Sequence, residues 1–201
     1  MTRKHRAVLL GILLFVSTFT SAQAKSWEPL DAIGGIAGWF RKLTRDFDEV
    51  VTVEKRSQLL RSVDRLRKGL YTLEIDTRFL LDAIPDQKPT TAQHEQLDQY
   101  VRDLLATIGK LSMNLKEVGA DLRLTSKAEQ LDLDQIDEKL ASGLRTRMMT
   151  LSYVQEQLAA ARSSDASWNP EPIRERLRKG LQAVKDAQLA ITEFQSKLAK
   201  Q

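Results

Sequence analysis

Once residues 1–24 are set aside, His94 is the single histidine of the 201-residue chain, and there is no cysteine anywhere. Most metal and nucleophile chemistry therefore rests on one side chain. Structural and catalytic zinc sites take several His or Cys ligands. A di-iron helical bundle needs a Glu-x-x-His motif on each of two helices. Thiolate ligation, covalent haem attachment and a Cys nucleophile all need a residue that is missing. Haem held by His94 and a methionine would need His94 deep in a helical core. It lies instead in Thr-Ala-Gln-His-Glu, in the expected first turn of a helix, and reads as a solvated residue. A Ser-His-Asp triad would depend on the same histidine. The sequence has no Gly-x-Ser-x-Gly elbow, phosphate loop or dinucleotide fingerprint.

Two further groups invite a chemical reading. Asp132, Asp134, Asp137 and Glu138 resemble a cation cluster but lack the glycine and terminal glutamate of a twelve-residue calcium loop. Their charge suits the start of a helix, where it complements the macrodipole. Arg147 falls inside an apolar stripe, among Ile136, Leu140 and Val154 and beside Met148 and Met149. An unpaired buried arginine costs several kcal/mol. Arg147 therefore snorkels, pairs with an acid and sets register, or contacts a ligand. The expectation is no catalytic residue, no metal ligand and no cofactor, with Arg147 the candidate register or ligand residue.

Four stripes at helical spacing must position whatever the chain presents. The first is Leu59, Val63, Leu66, Leu70, Leu73, Thr77, Leu80 and Ile84, with steps alternating between four and three residues. The second, Leu97, Val101, Leu104, Ile108, Leu111, Leu115, Val118 and Leu122, keeps the same alternation without a polar member. The third passes through Leu133, Ile136, Leu140, Leu144, Met148, Leu151, Val154 and Leu158. The fourth holds Ile173, Leu177, Leu181, Val184, Ala187, Ile191, Phe194 and Leu198. These periods belong to helices and, in the first two stripes, to coiled-coil seams. Each stripe covers about 26 residues, roughly 39 Å of helix. Matched lengths and short polar connections predict an all-α fold: an elongated, antiparallel, up-down-up-down four-helix bundle over residues 51–201. Thr90 with Gln93 predicts a capping box, and Asn169 before Pro170 predicts a second helix start. The boundary between the second and third helices, within 121–132, carries no Pro or Gly and stays open.

The N-terminus reads as an address. Arg3, Lys4 and Arg6 precede an apolar run from Ala7 to Val16, and Ala22-Gln23-Ala24 forms an A-x-A site. That is a secretory signal, with cleavage expected after Ala24, and the run is too short to span a bilayer. Three of the 31 basic residues leave with it and none of the 27 acidic ones, so the mature chain is nearly neutral. Nucleic acid is therefore not an expected partner, since that footprint needs clustered excess charge.

Residues 25–50 form a separate amphipathic segment. Ile33, Ile36, Trp39, Phe40, Leu43 and Phe47 lie on or beside one apolar arc, with Arg41, Lys42, Arg45, Asp48 and Glu49 opposite. The arc is out of phase with the seam that starts at Leu59. Either this helix packs on a flank or end of the bundle, or it offers an interaction surface to a partner or a membrane interface. The sequence thus points to a periplasmic or secreted, non-enzymatic helical protein. Its expected role is structural or interactive, in the cell envelope or a secretion assembly, with an envelope protein or a second copy as partner. Peripheral membrane contact through residues 25–50 is the first alternative, and a small-ligand-binding bundle the second.

Overall fold

Thr90 and Gln93 make the reciprocal bonds of a capping box. The Gln93 amide donates to Thr90 Oγ1 at 3.3 Å, and the Thr90 amide donates to Gln93 Oε1 at 2.9 Å. Together they satisfy two donors that a helix start leaves orphaned. Asn169 Oδ1 likewise accepts from the Glu171 amide at 3.2 Å. Thr52 caps a third helix by accepting from the Lys55 amide. Proline stops that helix at its far end. Pro85 disfavours helical backbone in the residue before it, and Ile84 is extended, with φ −70° and ψ 115°.

The computed structural model describes residues 29–46, 52–122, 158–161 and 167–200. Within them the chain is all-helical, with no strand. Helix α1 runs Pro29–Asp46, α2 Val53–Ala83, α3 Thr91–Leu122 and α4 Glu171–Lys200. Residues 158–161 add a helical turn. Among the described residues no helix is long and apolar enough to cross a membrane.

α2 packs against both α3 and α4. Side-chain bonds fix the directions. Gln58 pairs with Asp121, Arg65 with Glu117 at 2.9 Å, and Thr107 Oγ1 donates to Asp76 at 2.6 Å. The numbers fall on one helix as they rise on the other, so α2 and α3 are antiparallel. Gln188 donates to Glu74 at 3.0 Å and Arg174 to the Ile84 carbonyl at 2.8 Å, which makes α2 and α4 antiparallel as well. Trp168 Nε1 ties the entry of α4 to the Pro85 carbonyl at 2.9 Å.

Every member of the first two stripes is buried. Thr77 keeps its place in the seam because its hydroxyl donates back to the Leu73 carbonyl at 2.7 Å, the usual solution for a hydroxyl on a helix interior. On α4 the stripe shifts by one position. Gly180 is buried and Leu181 only half-buried, while Ala190 joins Ile191 inside. Of the third stripe, only Leu158 lies within the described residues, and it is buried.

His94 corrects one expectation. It is 5% exposed, not solvated. It stands three residues before Leu97, one step further back along the same seam, so the buried face of α3 begins a turn earlier than its aliphatic members do. Lys88, Pro89, Thr90, Glu95 and Ala161 surround the shallow cleft beside it.

α1 lies against α4. Phe40 meets Phe194 edge to face, with ring centroids 5.6 Å apart, and Trp39 meets Phe40 at 5.0 Å. Lys197 Nζ donates to the Thr44 carbonyl at 2.8 Å and to the Arg45 carbonyl at 3.5 Å. Residue numbers rise together here, so α1 runs parallel to the C-terminal part of α4. The lysine also places positive charge at the negative end of the α1 dipole.

Candidate functional site

The arc of α1 is not an open surface. Ile33, Ile36 and Phe40 are fully buried, and Trp39 and Leu43 nearly so, in one cluster with the seams of α2, α3 and α4. The apolar face that the sequence offers to a partner or membrane is covered within the chain. The phase mismatch is met by two separate helices, α1 ending at Asp46 and α2 starting at Val53. Phe47 and Arg147 lie outside the described residues, as do Asp132, Asp134, Asp137 and Glu138. Among the described residues no group of three or more His, Asp or Glu side chains is placed to hold a metal ion.

The surface presents two features that the stripes did not announce. The first is a groove of about 500 Å³ between α2 and α4, lined by Arg67, Lys68, Tyr71, Lys185, Gln188, Leu189 and Thr192. Tyr71 is 61% exposed and Leu189 57%. Residues three and four apart share a helix face. That rule puts Arg67, Lys68 and Tyr71 on one side of α2, and Lys185, Gln188, Leu189 and Thr192 on one side of α4. The Glu74–Gln188 bond sets the register that brings both sides to the same level.

The groove's charges are unequal. Lys68 and Arg67 both reach Asp64, at 2.8 and 2.9 Å, and their hydrogen bonds hold its carboxyl below the usual range. One acid is thus shared by two bases. Glu74 lies nearby, largely buried. Burial alone would raise its pKa, but hydrogen bonds from Gln188 and Arg78 outweigh that and hold it below the ordinary value. Lys185 adds its field to Glu74 from a distance and makes no ion pair among the described residues. Counting Arg67, Lys68, Lys185 and Arg78 against Asp64 and Glu74 leaves an excess of positive charge beside two exposed apolar side chains.

The second feature is a stacked pair on the α2–α3 flank. Phe79 and Tyr100 have ring centroids 6.3 Å apart and planes inclined by 21°, and Phe79 is 56% exposed. Both features rest on residues just outside the seams: Tyr71 follows Leu70, Phe79 precedes Leu80, and Tyr100 precedes Val101. An aromatic adjacent to a seam position was the available sign.

Comparisons of the chain with protein-family models, with curated proteins and with solved structures give no match.

Proposed function

We propose that this chain is an exported, non-enzymatic helical protein that acts by binding, as a structural or interaction component of the cell envelope or a secretion assembly. The observation that carries the reading is the Phe79–Tyr100 stack, which joins the exposed Phe79 ring of α2 to the half-buried Tyr100 ring of the antiparallel α3. Aromatic side chains are enriched at protein interfaces and dominate their energetics. The stack belongs to α2 and α3, whose backbones are held by a continuous buried seam, so its rings are presented on a rigid base. The expected occupant is another envelope protein or a second copy of the chain. The A-x-A site at Ala22 and Ala24 supports the compartment.

The finer architecture belongs to the same proposal. The third stripe, from Leu133 to Leu158, would complete an up-down-up-down four-helix bundle, with α1 as an additional helix on its flank. Support comes from α2 packing against both α3 and α4, and from Leu158 and Ala161 being buried, Ala161 beside the start of α3. The membrane-peripheral alternative relied on the arc of α1. Those side chains are spent on α4, so the aromatic stack is put forward in its place.

A photo-crosslinking amino acid at position 79, tested in the native envelope, checks the reading. A discrete adduct that disappears with Tyr100→Ala is the expected result. Recovery of uncut chain in the cytoplasm, or an absence of any adduct from position 79, would remove the proposal.

A further inference from the structure

The α2–α4 groove is a separate surface with its own chemistry. Its volume of about 500 Å³ falls within the range of about 300–1,000 Å³ typical of small-molecule sites. Single exposed apolar residues are ordinary on a protein surface. Here, however, Tyr71 and Leu189 converge from two helices onto one depression. Around them stand three cations, two of which, Arg67 and Lys68, share one acid, Asp64. Glu74 is engaged by Arg78 and Gln188, which leaves Lys185 without an ion pair among the described residues.

We propose that this groove binds an amphiphilic organic anion, an alkyl carboxylate or alkyl phosphate. Its charged head would meet Lys185, Arg67 and Lys68, and its apolar tail would lie over Tyr71 and Leu189. Charge complementarity sets the sign of the head group. The exposed ring and leucine set the need for a tail, since neither gains from a small hydrated anion. The Tyr71 hydroxyl offers a further donor to the head, and Gln188 and Thr192 line the α4 wall. The assignment does not depend on the Phe79–Tyr100 stack, which lies on the α2–α3 flank.

Dodecanoate, kept below its micellar concentration, is the probe, titrated calorimetrically into the purified protein. Dodecanol and acetate serve as the neutral-head and tail-less controls. The expected result is saturable binding of dodecanoate, with both controls weaker by about tenfold or more. Affinity should fall by a similar factor in Lys185→Glu and in Tyr71→Ala, and it should weaken when salt rises to about 0.5 M. These side chains are exposed, so circular-dichroism melts of both variants should match the parent chain. Leu189→Ser supplies a third variant should either melt shift. Two arms separate the sources of such an anion. Flotation with phosphatidylglycerol vesicles, lost in Lys185→Glu and absent with phosphatidylcholine, assigns the head group to a membrane lipid. Binding of dodecanoate without flotation assigns it to a free amphiphile. No binding of either probe, equal binding by dodecanol, or affinity unchanged in Lys185→Glu would overturn the proposal.

Discussion

Replacing Phe40 by alanine tests whether α1 belongs to the core or merely rests on it. Phe40 is fully buried, meets Phe194 edge to face at 5.6 Å, and stands against Trp39 at 5.0 Å. A buried Phe→Ala change costs about 3–5 kcal/mol, through lost transfer free energy and the cavity left behind. Domains carry a net stability of about 5–15 kcal/mol, so the loss is a large fraction of the whole. For a chain of this size each kcal/mol moves the melting temperature by about 2–4 °C, giving a fall of roughly 6–20 °C. A double-mutant cycle with Phe194→Ala should return about 0.5–1.5 kcal/mol of coupling, the share belonging to the ring pair itself. Denaturant unfolding followed by circular dichroism supplies the numbers, and Phe79→Ala, at a half-exposed ring, is the control expected to cost no more than about 1 kcal/mol. If Phe40→Ala leaves both the midpoint and the slope unchanged, α1 contributes nothing to global stability and the continuous core drawn here is wrong. If the slope alone falls, α1 detaches before the rest unfolds.

Three further outcomes follow from particular contacts. A Cβ at Gly38 would meet nothing within 4 Å, so Gly38→Ala should stabilise α1 by about 0.8–1 kcal/mol, read as a raised melting temperature. At Gly69 the same Cβ would stand 3.0 Å from Leu111 Cδ2 and 3.2 Å from Asn114 Nδ2. Leu111 is fully buried and has little room to yield, so Gly69→Ala should show none of that gain, and Gly69→Val should cost about 1–3 kcal/mol. Asp64 and Glu74 have folded-state pKa values below their ordinary 3.8 and 4.5. Their stabilisation is therefore complete above those ordinary values and is lost as pH falls through the lowered ones. A melting temperature followed from about pH 6 to about pH 2 should drop along that acid limb, and Glu74→Gln should make the drop shallower; an unchanged limb would show that Glu74 is not held by Gln188 and Arg78.

Heptad spacing made the seams of α2 and α3 legible residue by residue, because on these two helices burial follows the sequence period. Capping at Thr90 and Asn169 was legible for a similar reason: the groups involved are neighbours in the chain. His94 reads as solvated from its place near a helix end, but it stands one step back along the seam of Leu97, and that register buries it. The α2–α4 groove was out of reach for a different reason. Tyr71 and Leu189 become neighbours only through the pairing of two helices, and the Glu74–Gln188 bond that sets the pairing joins residues 114 positions apart. Local pattern says which face of a helix is apolar and is silent on which helix lies opposite.

The arc of α1 shows both halves of that rule. An apolar face states a demand for cover, and the sequence stated it clearly with Ile33, Ile36, Phe40 and Leu43. The supplier was written on α4 in weaker terms. Through Val184 the buried positions of α4 come singly, but Ala190 and Ile191 are buried together, about 100° apart around the helix. That stretch needs cover from two directions. α2 stands on one side, through Glu74 and Gln188. The small Ala187 and Ala190 narrow the helix at the same level, and Phe194 then projects toward Phe40 at the point where Lys197 closes the last turn of α1. A second covering helix was therefore implied by the broadened buried face of α4. Among the described residues, the helix that meets Phe194 at this level is α1. The demand for cover is legible in the arc of α1, whereas the width of the face that answers it emerges only from the burial of Ala190 beside Ile191 in the folded chain.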